Sequence, residues 1–194
     1  AQWQAVRRRA AAPLAAAAVL ALGGAGATPL AAQEPTSRVF VEGLAGGVIP
    51  TFEISDVVTA GPAFGAAVGY RLSPKLTLMG EFDYGMHEAE GNDEVDITTM
   101  HYIAKVGYSL LPATDRGWEA LVNLGAGAVT FDVDGGEANT YFAINAGGKV
   151  AYNFSPRFAL VLSPQGDIAF TDEEEVGTSN AWVWPVTAGV RVKL

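Results

Sequence analysis

The segment 181–194 reads AWVWPVTAGVRVKL. Trp182, Trp184, Val186, Ala188, Val190, Val192 and Leu194 share one parity and are all apolar. Val183, Pro185, Thr187, Gly189, Arg191 and Lys193 take the other, which is mostly small or charged. Successive side chains of a β-strand point to opposite faces, so this is a strand with one greasy face. The three-to-four-residue spacing of an amphipathic helix is missing.

Working back along the chain, seven more runs of period two appear, at about 38–50, 62–72, 75–87, 98–111, 117–131, 140–154 and 157–170. Each is longer than the roughly 5–6 residues usual for soluble strands. Each is long enough to cross a bilayer at a tilt, which takes about 9–11 residues. The connections alternate in length. Three are short, at Ser73-Pro74, 112–116 and Ser155-Pro156; four are longer, at about 51–61, 88–97, 132–139 and 171–179. Short turns at one end and long loops at the other are the pattern of a transmembrane up-and-down barrel. The expected fold is therefore all-β: an eight-stranded antiparallel up-and-down transmembrane β-barrel.

The orientation of the faces decides between this and a soluble barrel of the lipocalin kind, which is apolar inside. Here Glu42, Arg71, Glu81, Asp83, Lys105, Glu119, Lys149, Asp167 and Arg191 share the parity of Gly, Ser and Thr. These residues could not line a dry cavity, so they are expected to form an ion network in a polar lumen. Nearly all the strand aromatics have the opposite parity and sort by height. Tyr70, Tyr108, Trp118, Tyr152 and Phe158 lie beside the short turns, and Phe64, Tyr84, Phe170, Trp182 and Trp184 toward the long loops. Two aromatic bands around an aliphatic middle suit the two membrane interfaces.

The beginning of the chain has a different character. Arg7, Arg8 and Arg9 precede an apolar run, Ala10–Leu22, and the small-residue stretch GGAGATPLAAQ. That is the layout of a cleavable signal peptide, so residues 1–32 are expected to be a signal peptide, cut after Ala27 or Ala32, and 33–194 the barrel. The 194 residues carry a net charge of −9; without the three leader arginines, nine basic residues face 21 acidic ones, a net −12. Nucleic acid is excluded as a partner by that charge. The absence of Cys excludes disulfides and thiolate chemistry. Fourteen acids and no Lys or Arg lie in the four long loops, so these loops are expected to face outward and the termini the periplasm.

The opening VFVEGLAGGVIP, the turns GYRLSPKL and YNFSPRF and the ending AGVRVKL resemble the OmpA/OmpX-type small outer-membrane β-barrel family, over about residues 38–194. The resemblance implies a bacterial outer-membrane location and a monomer. It also implies outer-membrane lipid, lipopolysaccharide and the barrel-assembly machinery as partners. The family usually ends in an aromatic residue that this machinery reads; this chain ends in Leu194, and no peptidoglycan-binding domain is expected after it. The implied role is structural or surface-interacting (adhesion or envelope integrity, with an extracellular ligand), not enzymatic. A small channel is the alternative, and a hydrolase using His87 or His101 a third reading.

Local chemistry gives three further expectations. A hairpin of the runs 75–87 and 98–111, centred on Glu94, would pair Asp83 with Lys105. It would also set His87 opposite His101, a candidate metal pair. Asp132, Asp134 and Glu137 in DVDGGE have the flavour of a calcium loop without its full spacing. No resident cofactor is expected beyond divalent cations at such acidic loops.

Overall fold

The structure, a computed structural model, describes residues 37–89, 92–136, 138–176 and 178–194. The leader expected at 1–32 and the candidate ligand Glu137 lie outside these residues. Eight strands follow one another: β1 (Val39–Thr51), β2 (Gly61–Arg71), β3 (Leu76–Ala89), β4 (Asn92–Leu111), β5 (Gly117–Val133), β6 (Asn139–Asn153), β7 (Phe158–Ala169) and β8 (Ala181–Lys193). Each pairs antiparallel with the next. β8 returns to β1 from Phe40↔Lys193 to Thr51↔Trp182, closing the barrel. Closure leaves no unpaired sheet edge, the condition for a sheet to stand in lipid. Among the described residues no helix is long and apolar enough to cross a membrane.

The alternation read from the sequence becomes an inside and an outside. In β8, Ala181, Val183, Pro185, Thr187, Arg191 and Lys193 are buried, while Trp184, Val186, Ala188 and Val190 are exposed. The exposed set includes Val68, Leu78, Val106, Val122, Leu124, Leu160 and Leu162 around the middle of the barrel. A belt of exposed aliphatic residues that wide makes sense only against lipid.

Two expectations are corrected. The segment 88–97 is not mainly a loop, because β3 runs to Ala89 and β4 starts at Asn92. The acids suggested a loop, but a hairpin that continues past the lipid edge can be polar on both faces, and its backbone is still satisfied by the ladder. The β3–β4 register is also not centred on Glu94. Asp83 faces His101, Met79 faces Lys105 and His87 faces Ile97, with an irregularity between Glu88 and Ala89. The shift is by an even number of residues, so every side chain keeps its face while its opposite number changes.

At the long-loop end, β1 leads into a single-turn 3-10 helix (Phe52–Asp56), and a four-residue helix α1 (Glu173–Val176) precedes β8. Phe52 enters that turn with φ +63°, a conformation a non-glycine residue rarely takes. Its ring meets Trp182 edge-on at 5.3 Å.

Candidate functional site

Among the described residues, the lumen gathers most of the buried charged side chains. All nine residues expected in its ion network are buried. Seven of them form one continuous ladder that climbs from the short-turn mouth. Arg71 Nη2 donates to Glu119 (3.0 Å to Oε2), and Arg191 Nη1 to Glu119 Oε1 (2.7 Å). Arg191 Nε donates to Glu42 Oε1 (2.7 Å), and Lys149 Nζ reaches both Glu42 Oε2 and Glu81 Oε2 (2.5 Å each). Lys105 Nζ closes the series on Glu81 Oε1 (2.6 Å). Cation and anion alternate throughout, so each buried charge finds its countercharge, without which burial would cost several kcal/mol, roughly, per ion. Both arginines also lie over an inward-facing aromatic ring: Arg191 Cζ is 4.2 Å and Arg71 Cζ 5.3 Å from the Phe40 centroid. Gly69 makes room for that ring, since any Cβ there would overlap it.

The remaining members, Asp83 and Asp167, stand above the ladder. Asp167 accepts from Asn145 Nδ2 (2.7 Å) and lies 2.7 Å from His101 Nδ1. Asp83 does not bond Lys105 as expected. It is the cross-strand neighbour of His101, because the register differs from the Glu94-centred one. Nor do the histidines face each other. His101 is completely buried against Asp167, while His87 Nδ1 is 2.8 Å from the Thr59 carbonyl and His87 Nε2 3.1 Å from Thr99 Oγ1.

Above this layer the lumen changes character. Val48, Ala63, Ile97, Ile103, Val129, Phe131, Ala143 and Val183 point inward and pack into one apolar cluster. Ile54 and Val58 from the 3-10 turn and the following residues close it from above. The ion ladder is thus confined to the short-turn half, and toward the loops the inward residues are mostly apolar, with His87, Thr99 and His101 buried among them. The residues of the plug have inward parity, but their apolar character hid them behind the charged positions. Ile54 and Val58 lie in a connection, where strand periodicity gives no signal. Thr178, before β8, ties the plug down by donating to Glu53 Oε2 (3.0 Å).

The expected aromatic positions lie on the outer surface. Tyr70, Tyr108, Trp118, Tyr152 and Phe158 are exposed at the short-turn end, with Trp118 and Tyr152 in contact at 5.1 Å. Phe64, Phe170 and Trp184 are exposed toward the loops, where Tyr84 and Trp182 are half-buried. Phe142 and Phe170, also toward the loops, stack at 6.0 Å. Aromatic residues are not all outside, since Phe40 and Phe131 are buried in the lumen.

No described group of three or more His, Asp or Glu side chains is arranged to hold a metal. Asp132 pairs with Thr98 near the end of β5, and Asp134 lies in the turn that contains Gly135 (φ +76°). Both are exposed. The structure therefore does not assemble the expected histidine pair, and the described part of DVDGGE is a solvated turn.

A closed, eight-stranded, apolar-skinned barrel with ionised groups inside defines a small membrane-spanning barrel of the bacterial outer membrane. The family model for the outer membrane protein beta-barrel domain matches residues 17–193, and the chain belongs to that family. Solved structures of similar fold include Neisserial surface protein A, 18% identical over 80% of this chain and 97% of that one, with a TM-score of 0.64. They also include OprG of Pseudomonas aeruginosa, 11% identical over 83% and 97% of the two chains, with a TM-score of 0.59. A major outer membrane protein of Thermus thermophilus is 14% identical over 82% and 100%, with a TM-score of 0.57. No curated protein sequence matches the chain.

Proposed function

We propose that the protein is a closed structural barrel of the outer membrane whose acidic loops make its contacts at the cell surface, in adhesion or envelope integrity. One observation carries this reading: the lumen is filled in two different ways along its length. The ion ladder occupies the short-turn half and the apolar cluster under Ile54 and Val58 the other. A conducting path would have to break buried ion pairs and displace the plug, whereas an eight-stranded barrel filled by its own side chains is a rigid support. The similar Neisserial protein is named a surface protein, in line with this reading.

The acidic rim suits contact with cationic partners, or with lipopolysaccharide through bridging divalent cations. The surroundings of His87 and His101 give the hydrolase reading no support. Both rings are buried, His87 is bonded through both ring nitrogens and His101 through Nδ1 to Asp167, and the hydroxyl beside His87, that of Thr99, is buried too. Planar-bilayer recording on the refolded full chain tests the proposal. The expected result is a quiet membrane. Reproducible conductance steps would replace this reading with the channel.

A further inference from the structure

The short-turn end carries a second charge pattern, one that the ladder does not use. Four exposed bases stand on its rim: Arg38 at the foot of β1, Lys75 between β2 and β3, Arg116 between β4 and β5, and Arg157 between β6 and β7. In the closed strand order this places one base at every second strand, all the way round. Asp115 is the one acid in the three turns, and the long loops of the other rim contain no base at all.

Two of the turns are built alike. In Ser73-Pro74-Lys75-Leu76, Ser73 Oγ accepts from the backbone N–H of Lys75 (3.3 Å) and of Leu76 (3.1 Å). In Ser155-Pro156-Arg157-Phe158, Ser155 Oγ accepts from the N–H of Arg157 (3.3 Å) and of Phe158 (2.9 Å). Proline fixes one backbone angle and the serine satisfies the turn's donors, so the base leaves a stiff support.

Each base also adjoins the aromatic band. Lys75 Nζ lies 6.0 Å from the Tyr108 ring centroid. Arg116 is two residues from the exposed Trp118. Arg157 precedes Phe158, which stacks with Phe154 at 6.3 Å. Val39, next to Arg38, pairs with Tyr70. Tyrosine and tryptophan settle at the level of lipid headgroups. A cation on the water side of them therefore meets the phosphates, and long basic side chains reach that level easily.

We propose that the collar of Arg38, Lys75, Arg116 and Arg157 binds the phosphodiester headgroups of anionic phospholipids. It thereby gathers these lipids around the short-turn rim in preference to zwitterionic ones. Short turns of such barrels face the periplasm, so the lipids are those of the inner leaflet. The collar fixes the depth of the barrel from that side.

Trp118 lies within the collar's reach and serves as the reporter. The full chain with Trp3, Trp182 and Trp184 replaced by Phe is refolded into vesicles of phosphatidylcholine with a minority of phosphatidylglycerol. Bromine is carried on the acyl chains of either the one lipid or the other. Quenching of Trp118, corrected for bulk mole fraction, is expected to show phosphatidylglycerol enriched about twofold or more over phosphatidylcholine, because each nearby base adds to the attraction for an anionic lipid. Molar salt, with a Debye length of about 3 Å, should remove most of that enrichment. The variant Arg38→Gln, Lys75→Gln, Arg116→Gln, Arg157→Gln should reduce it to parity. Equal quenching by the two brominated lipids in the parent overturns the proposal, as does an enrichment that survives the four substitutions. If the fourfold variant fails to fold, the parent in molar salt decides, and enrichment unmoved by salt overturns it.

Discussion

The two halves of the lumen solve one problem with opposite chemistry. The short-turn half is filled by a ladder in which every group has a named partner: Glu42 holds Arg191 and Lys149, Glu81 holds Lys149 and Lys105, and Glu119 holds Arg71 and Arg191. The long-loop half is filled mainly by Val48, Ile54, Val129, Phe131 and Val183, whose side chains meet by apolar contact. Ion pairs are directional, so the ladder specifies which strand residue meets which. Apolar packing is tolerant of direction and seals against water. The outer skin is apolar in both halves and faces lipid, so it does little to choose between registers. The ladder is the part of the molecule that makes one register better than its neighbours, and the plug is the part that keeps the ladder dry.

The largest effect should follow from breaking the ladder at its centre. Glu42→Gln leaves Arg191 and Lys149 each with one fewer anion in a buried site, a change that costs about 3–5 kcal/mol. Urea unfolding of the refolded barrel, followed by tryptophan fluorescence, measures it. The double variant Glu42→Gln, Lys149→Met restores the local balance, since Arg191 keeps Glu119 and Glu81 keeps Lys105. It should recover a large part of the loss. If Glu42→Gln costs less than about 1 kcal/mol, the range of exposed pairs, then water reaches the ladder and the contrast between the halves fails.

The matching test of the plug is Ile54→Ala. Deleting a buried aliphatic side chain costs about 2 kcal/mol at the low end, and the low end applies because the turn can relax. The loss should appear locally. The N–H groups of Val57 and Val58 both donate to the Ile54 carbonyl, at 3.1 and 3.0 Å. Their hydrogen exchange should quicken roughly thirtyfold, the equivalent of that free energy, while amides of β6 and β7 keep their rates. An equal acceleration throughout would mean that plug and ladder open as one unit.

How far the two halves can be read from the sequence differs for a physical reason. Period two reports the face of a residue, so the alternation alone places Arg191, Lys149 and Glu119 inside, and Trp118 and Tyr108 outside. Alternation does not report height. Height depends on strand register and tilt, and the β3–β4 register escapes the sequence because Glu88, Glu90, Asp93, Glu94 and Asp96 suggest a loop where most of the segment is strand. Hence the partner of Lys105 is Glu81 rather than Asp83. The plug is less legible still. Val48 and Val183 differ from lipid-facing valines only in parity, and the Ile54 turn follows no period at all. One signal was open to reading: Gly69 stands on the inward face where a large ring must fit, and that ring is Phe40.

The smallest effect asks whether the plug needs anything besides contact. Thr178 is buried and its hydroxyl donates to Glu53, so it links the segment before β8 to the turn that carries Ile54. Thr178→Val keeps the shape and removes the bond. A hydrogen bond to a charged acceptor is worth roughly 1.5–3 kcal/mol when both ends are sheltered, but Glu53 is exposed, and water replaces the lost donor at once. The expected cost is therefore near 1 kcal/mol, about a fivefold acceleration of exchange at Val57 and Val58, with the global urea midpoint unmoved. If those amides accelerate as much as in Ile54→Ala, the polar strap and not the apolar cluster holds the plug. Both halves of the lumen would then depend on charge, and the difference between them would be one of degree.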